Sequence, residues 1–215
     1  MSRAWLPMRI RVWIPAALVA LVAFGAESAS AQMGGGDASA VTVIGNDRNG
    51  RICITNVAAG DSSDETLAAC TRAMSYARLS RAGERQLLID RGIVYLRRRE
   101  GELALADFDA VIARDPDNAE AHLNRGAALV QMGRHGHAIA AITEALGLGV
   151  QEPHKAYYNR GAAREALGDL RGAYEDYSTA LEIQPDWGPA NAELSRFARS
   201  RRDHLATVLS DTPAP

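Results

Sequence analysis

Two short markers recur along this chain in step, and they constrain its fold more than any other feature. Leu88-Ile89-Asp90-Arg91-Gly92, Leu123-Asn124-Arg125-Gly126 and Tyr158-Asn159-Arg160-Gly161 align with their glycines 34 and 35 residues apart. Ala104, Ala138 and Ala173 repeat at the same 34 and 35 residues, each followed four positions later by a large residue, Phe108, Ile142 or Tyr177. Two independent markers sharing one period define a tandem array, and this period is the length of one helix-turn-helix unit. A glycine on one helix and an alanine on the next remove bulk where antiparallel helices cross, so larger neighbours can interlock.

The unit ends carry their own signals. Asp115-Pro116 and Gln184-Pro185 close the first and third units, since proline cannot continue a helix and drives its predecessor out of helical geometry. Gly133 and Gly168 fall at the turns inside the second and third units. Aromatic residues make up only 6% of the chain, which favours close helix-on-helix packing over a sheet rich in β-branched and aromatic side chains. The pattern predicts an all-α protein.

On these residues the chain resembles the tetratricopeptide repeat family. The third unit carries Tyr157, Gly161, Ala173, Tyr177, Ala180 and Pro185 at signature places, and the first carries Gly92, Tyr95, Ala104, Phe108 and Pro116. The second keeps Gly126, Ala138 and Ala145, with Val150 where a terminal proline would stand and Pro153 beyond it. Arg91, Arg125 and Arg160 occupy a place usually held by Leu, and Arg99 replaces a turn glycine. The resemblance implies a right-handed superhelical stack of three clear repeats, a degenerate N-terminal repeat over 47–84 and a C-terminal capping helix, the repeat domain running over 85–202. Residues 203–215 are expected to be a disordered tail. In the cap, from Gly188 to Arg202, Ala190, Leu194 and Phe197 share one face, with Arg196, Arg199, Arg201 and Arg202 available to water.

The N-terminus reads as an export signal over 1–31. Arg3, Arg9 and Arg11 precede an apolar run from Val12 to Ala26, and Ala29-Ser30-Ala31 offers small residues for cleavage before Gln32. The run is too short to span a bilayer, so no stable membrane insertion is expected after cleavage, and a periplasmic or secreted location follows. Residues 32–46 read as a flexible linker. The chain has 24 basic and 26 acidic residues, and removing 1–31 leaves 21 basic and 25 acidic, a net charge of −4. Such a balance argues against nucleic acid as a partner.

Cys53 and Cys70 both follow the signal. Two cysteines in an oxidising compartment, without Cys-x-x-Cys or a third metal ligand, read as a disulfide. Extending the repeat frame backwards makes Glu65 to Tyr76 a second helix with Leu67, Cys70, Ala73 and Met74 on one stripe, and sets Cys53 on the facing helix. The stretch around Cys53, unlike Glu65 to Tyr76, also admits a β-hairpin, Val41–Ile44 and Arg51–Thr55 around Asn49-Gly50.

Catalytic patterns are lacking. The five histidines, His122, His135, His137, His154 and His204, have no spacing that gathers a metal, and neither a nucleophile elbow nor a phosphate loop is present. No cofactor, metal or enzymatic activity is expected. The runs Arg97-Arg98-Arg99 and Arg199 to Arg202 read as hydrated helix ends. The resemblance places the second, fifth, sixth, ninth and twelfth residues of each leading helix on a concave face. A partner-binding groove then comprises Ile89, Asp90, Ile93, Leu123, Asn124, Val130, Tyr158 and Asn159. The apolar members offer contact, and the column Asp90, Asn124, Asn159 offers hydrogen bonds to an extended backbone or bridges between helices. Ile89 and Ile93 occupy the places where the chaperone-binding subclass carries Lys and Asn, so a basic carboxylate clamp is not expected. The expected function is a scaffold holding a protein or peptide partner. The alternative is self-association into a homodimer through Leu194 and Phe197 of the cap.

Overall fold

The computed structural model describes residues 47–75 and 79–210, with side chains described except at 201 and 203–210. The expected signal and linker, and Val41–Ile44 of the hairpin reading, lie outside the described residues. Within them the chain is helical throughout: α1 (Arg48–Ala58), α2 (Asp64–Met74), α3 (Arg81–Arg97), α4 (Gly101–Ile112), α5 (Ala119–Gln131), α6 (His135–Gly147), α7 (Pro153–Ala166), α8 (Leu170–Ile183) and α9 (Gly188–Ser210). Consecutive helices pair as antiparallel hairpins. The leading helices α1, α3, α5 and α7 also pack successively on one another, so the hairpins form one stack.

Local chemistry sets the helix boundaries. Ser63, Ser80, Asn118 and Asp169 cap α2, α3, α5 and α8, each accepting from a backbone N–H three residues on, and Pro153 opens α7 where its missing N–H costs nothing. Asp47 does the same for α1, accepting from Gly50 N–H at 2.6 Å. That cap places Asn49-Gly50 in the first turn of a helix, so residues 51–55 are helical and the strand reading of them is corrected. The turns inside the three clear units share one left-handed residue, Arg99 at φ 63°, Gly133 at 73° and Gly168 at 85°. Arg99 adopts here, with its N–H bonded to the Leu96 carbonyl at 3.0 Å, a conformation that glycine reaches without a Cβ clash.

The three marker glycines sit at equivalent crossings. A Cβ on Gly92 would lie 2.5 Å from Phe108 Cε1, and one on Gly161 would lie 2.9 Å from Tyr177 Cε1. At Gly126 it would run into Ile142 Cγ1. The recurring glycine and the recurring large residue are therefore two halves of one contact. Gly126→Ala gains about 1 kcal/mol of helix propensity but overpacks the crossing by about 2–3 kcal/mol, the upper part of the range for an added methyl, because the new Cβ collides with Ile142, so a net loss of about 1–2 kcal/mol is expected. Gly136, on α6, has open space around it, and Gly136→Ala is expected to gain up to about 1 kcal/mol. Urea midpoints that moved the same way for both variants would contradict this crossing geometry.

The degenerate first unit is short, with 11 residues in each helix. Cys53 and Cys70 are fully buried and form a disulfide across α1 and α2 with Cα atoms 4.8 Å apart. The sequence separation of 17 corresponds to about 3 kcal/mol of chain entropy removed from the unfolded state. This covalent tie compensates for a unit too small to bury much apolar surface.

Two expectations about the arginines and the C-terminal end are corrected. Arg97 donates to the Val57 carbonyl at 2.8 Å, and Arg98 pairs with Asp64 at 2.6 Å and Glu100 at 2.7 Å. These two arginines tie α3 back to the first unit and are not simply hydrated. Arg196 is likewise not simply hydrated: 40% of its side chain stays exposed, but it holds both carboxylate oxygens of Glu165 on α7 at 2.6 Å. The last helix runs to Ser210, past the boundary at 203 expected for the tail, because no proline or glycine lies between Pro189 and Ser210 to stop it. Leu194 and Phe197 pack on the chain's own stack beside Tyr158, Tyr177 and Trp187.

Candidate binding cleft

The column expected on the leading helices is present, but it lies deeper than its sequence places imply. Ile89, Ile93, Leu123, Val130 and Tyr158 are 2%, 3%, 0%, 4% and 2% exposed, so they belong to the core and do not form an open floor. The leading helices approach one another closely enough to cover these side chains, and Tyr158 is further enclosed by Trp187 and Tyr177, with ring centroids 5.0 and 5.5 Å away. Asn124 and Asn159 are buried too, and neither amide has a hydrogen-bond partner on its nitrogen or oxygen. They do not bridge neighbouring helices.

What remains open is a cleft of about 520 Å³ that spans the first three leading helices and the junction before α7. Of the expected groove residues, Asp90 and Ile93 line it. Gln86 and Glu120 join them from other concave places, while Asp115, Asp117, Asn118 and Glu152 come from the loops between units. Apart from Asp115, which precedes the unit-closing Pro116, those loop residues carry no marker of the repeat, so the period could not have found them. Asn118 is fixed there by its two roles, capping α5 through Ala121 N–H at 2.9 Å and donating to Asp115 Oδ2 at 3.1 Å.

Carboxylates dominate the cleft. Asp90 is 5% exposed; Gln86 donates to its Oδ1 at 3.1 Å, and its Oδ2 is buried without a partner. Burial pushes the Asp90 carboxyl up to about 7, with the Gln86 hydrogen bond opposing, Glu120 adding repulsion and Arg97 opposing. Glu120 is raised as well, by burial first and by Glu152 second.

The three arginines that depart from the repeat pattern are explained by pairing on the opposite side of the leading helices. Arg91 binds both oxygens of Asp107 at 2.8 and 2.6 Å, and Arg160 binds both oxygens of Asp176 at 3.0 and 2.8 Å. In each case the acid lies 16 residues on, on the second helix of the same unit. The second unit has Ala141 there, so Arg125 turns back to Asp109 of the preceding unit at 2.6 Å. An acid spaced 16 residues after the arginine was the sequence signal for these ties.

A stack of paired helices with its leading helices side by side defines a helical-repeat solenoid. Family profiles of the tetratricopeptide repeat match residues 89–153 and 154–186, and the chain belongs to that family. The structure of the first such domain of Spaghetti (RPAP3) bound to an HSP90 peptide, SRMEEVD, has a TM-score of 0.51 and 28% identity, covering 55% of this chain and 94% of that one. RNA polymerase II-associated protein 3 of Xenopus tropicalis is 30% identical over 119 residues, 55% of this chain and 18% of that protein. Serine/threonine-protein phosphatase 5 of Rattus norvegicus is 32% identical over 92 residues, 43% of this chain and 18% of the phosphatase. The matched stretch is thus less than a fifth of each of these curated relatives, and the phosphatase likeness extends to a small part of that enzyme.

Proposed function

We propose that this chain is a non-enzymatic, exported scaffold that holds a segment of a partner polypeptide in its concave cleft. The observation that carries the reading is the cleft itself, built from successive leading helices and presenting in Asp90 an acceptor that the chain leaves unsatisfied. A buried polar atom without a partner costs about 1–3 kcal/mol, and a bound segment supplies what the folded chain does not. Asn124 and Asn159 carry unpartnered amides at the same register farther along the stack, but both are buried and neither lines the cleft. The likeness to a peptide-holding domain at 28% identity supports the same use of the fold, and the sequence of residues 1–31 supports export. The cap residues Leu194 and Phe197 are engaged within the stack, so dimerisation through them is not part of this reading.

Site-specific photo-crosslinking in the native host tests it. A crosslinking residue at Gln86 or Glu152, both lining the cleft, is expected to capture a polypeptide partner several-fold more efficiently than one at Arg171, whose side chain is 90% exposed on α8. Equal capture from both places would exclude the cleft as the holding surface.

A further inference from the structure

The cleft has a charge preference that the general reading leaves open. Among the described residues Arg85 is the one cation lining the cleft, and it is paired with Asp115 at 2.9 Å. Glu152 is paired with Lys155 at 2.8 Å. That leaves Asp90, Asp117 and Glu120, none within ion-pair distance of a cation among the described residues. Clustered acids alone occur on many surfaces. Here one of them, Asp90, lines the cleft, is almost fully buried and carries an oxygen without a hydrogen-bond partner. A neutral donor would satisfy that oxygen but leave the negative charge of the cleft uncompensated, and an acidic segment would be repelled by the cleft's carboxylates in a partly desolvated site.

Resting on the scaffold reading above, we infer that the cleft is a subsite for a cationic side chain, a lysine or arginine of the held segment, bound between Asp90 and Glu120 with Asp117 at the rim. Its ammonium or guanidinium group would donate to Asp90 Oδ2 while its aliphatic stem lies against Ile93, Val57 and Ile54 of the same cleft. The preference is opposite in sign to that needed for the acidic peptide SRMEEVD held by the Spaghetti domain. The isoleucines at 89 and 93 fit that reversal.

The test uses the full chain and three labelled, end-blocked peptides of about nine residues, identical except that two central positions are both Lys, both Gln or both Glu, with binding read by fluorescence polarisation. The Lys peptide is expected to bind at least about 10-fold more tightly than the Glu peptide at low salt. The preference should shrink as salt shortens the screening length to ~8 Å and below. In the pair Asp90→Asn with Glu120→Gln it is expected to fall below about 3-fold, with helicity by circular dichroism retained. Should that pair fail to fold, Asp117→Asn, at an exposed position, is expected to lower the preference about 2-fold by itself. Equal affinity for Lys and Glu peptides, or a preference that survives these substitutions, overturns the cationic subsite while leaving the scaffold intact. Absence of binding by all three peptides at millimolar concentration, together with equal crosslinking from Gln86 and Arg171, overturns both.

Discussion

Replacing Asp90 by asparagine is expected to stabilise the chain by an amount that grows with pH, the pH-dependent part reaching about 4 kcal/mol. The group's ordinary value is 3.8 and burial raises it to about 7. Between those values the folded chain holds a proton that the unfolded chain has released, so the parent loses stability as pH rises through the window. At about 1.4 kcal/mol per unit, the interval sums to about 4 kcal/mol. Below pH 4 both states are protonated and the variant differs little from the parent; above pH 7 the loss is complete. Asparagine keeps the oxygen that accepts from Gln86 and never carries charge. Glu120 is raised in the same direction, but it titrates in both parent and variant, so the difference between them isolates Asp90. Urea denaturation at pH 4, 5, 6, 7 and 8 measures it. A difference that stayed flat across that range would show that Asp90 is not desolvated, and the unsatisfied acceptor in the cleft would go with it.

Asp176→Ala is expected to cost about 3 kcal/mol, at the lower end of the range for removing one partner of a buried ion pair. Its carboxylate is 4% exposed and holds two guanidinium groups, Arg160 at 2.8 Å and Arg164 at 2.9 Å. The arginines are 14% and 27% exposed, so part of the cost is recovered as they turn toward water. Asp109→Ala is the matched control: it removes one contact to Arg125, with the two side chains 53% and 33% exposed, and should cost under about 1 kcal/mol. Equal denaturation midpoints for the two variants would mean that the arginine at this place in the repeat contributes only surface charge.

These two acids show opposite uses of one residue type in one stack. Asp176 is buried with its cations supplied by the same unit, which fixes the two helices of the hairpin against each other. Asp90 is buried with an amide and no cation in contact, which costs the free chain stability at neutral pH. The same substitution that relieves this cost removes the acceptor proposed for the partner's cation, so stability and binding are expected to move in opposite directions at Asp90.

Much of the architecture was legible because it rests on contacts within one hairpin. Gly126 and Ile142 are 16 residues apart and meet wherever two helices of that length fold back on each other. The period therefore reported a real crossing, and the Cys53–Cys70 pairing followed from extending it. Two nearer signals add to the period: the Asp47 cap decides for the helical alternative over the Asn49-Gly50 hairpin, and Asp107 and Asp176 lie 16 residues beyond their arginines.

The sequence by itself determined the repeat and the pairing of small with large residues at each crossing, because those depend on backbone geometry and side-chain volume within about 35 residues. Tertiary structure alone decided which concave residues remain open. Whether Leu123 or Asn124 meets solvent depends on how closely the preceding and following leading helices approach, and that distance is set by side chains of neighbouring units acting together. It closed most of the expected groove and left a carboxylate-lined cleft at the junctions between units, where the repeat pattern is silent.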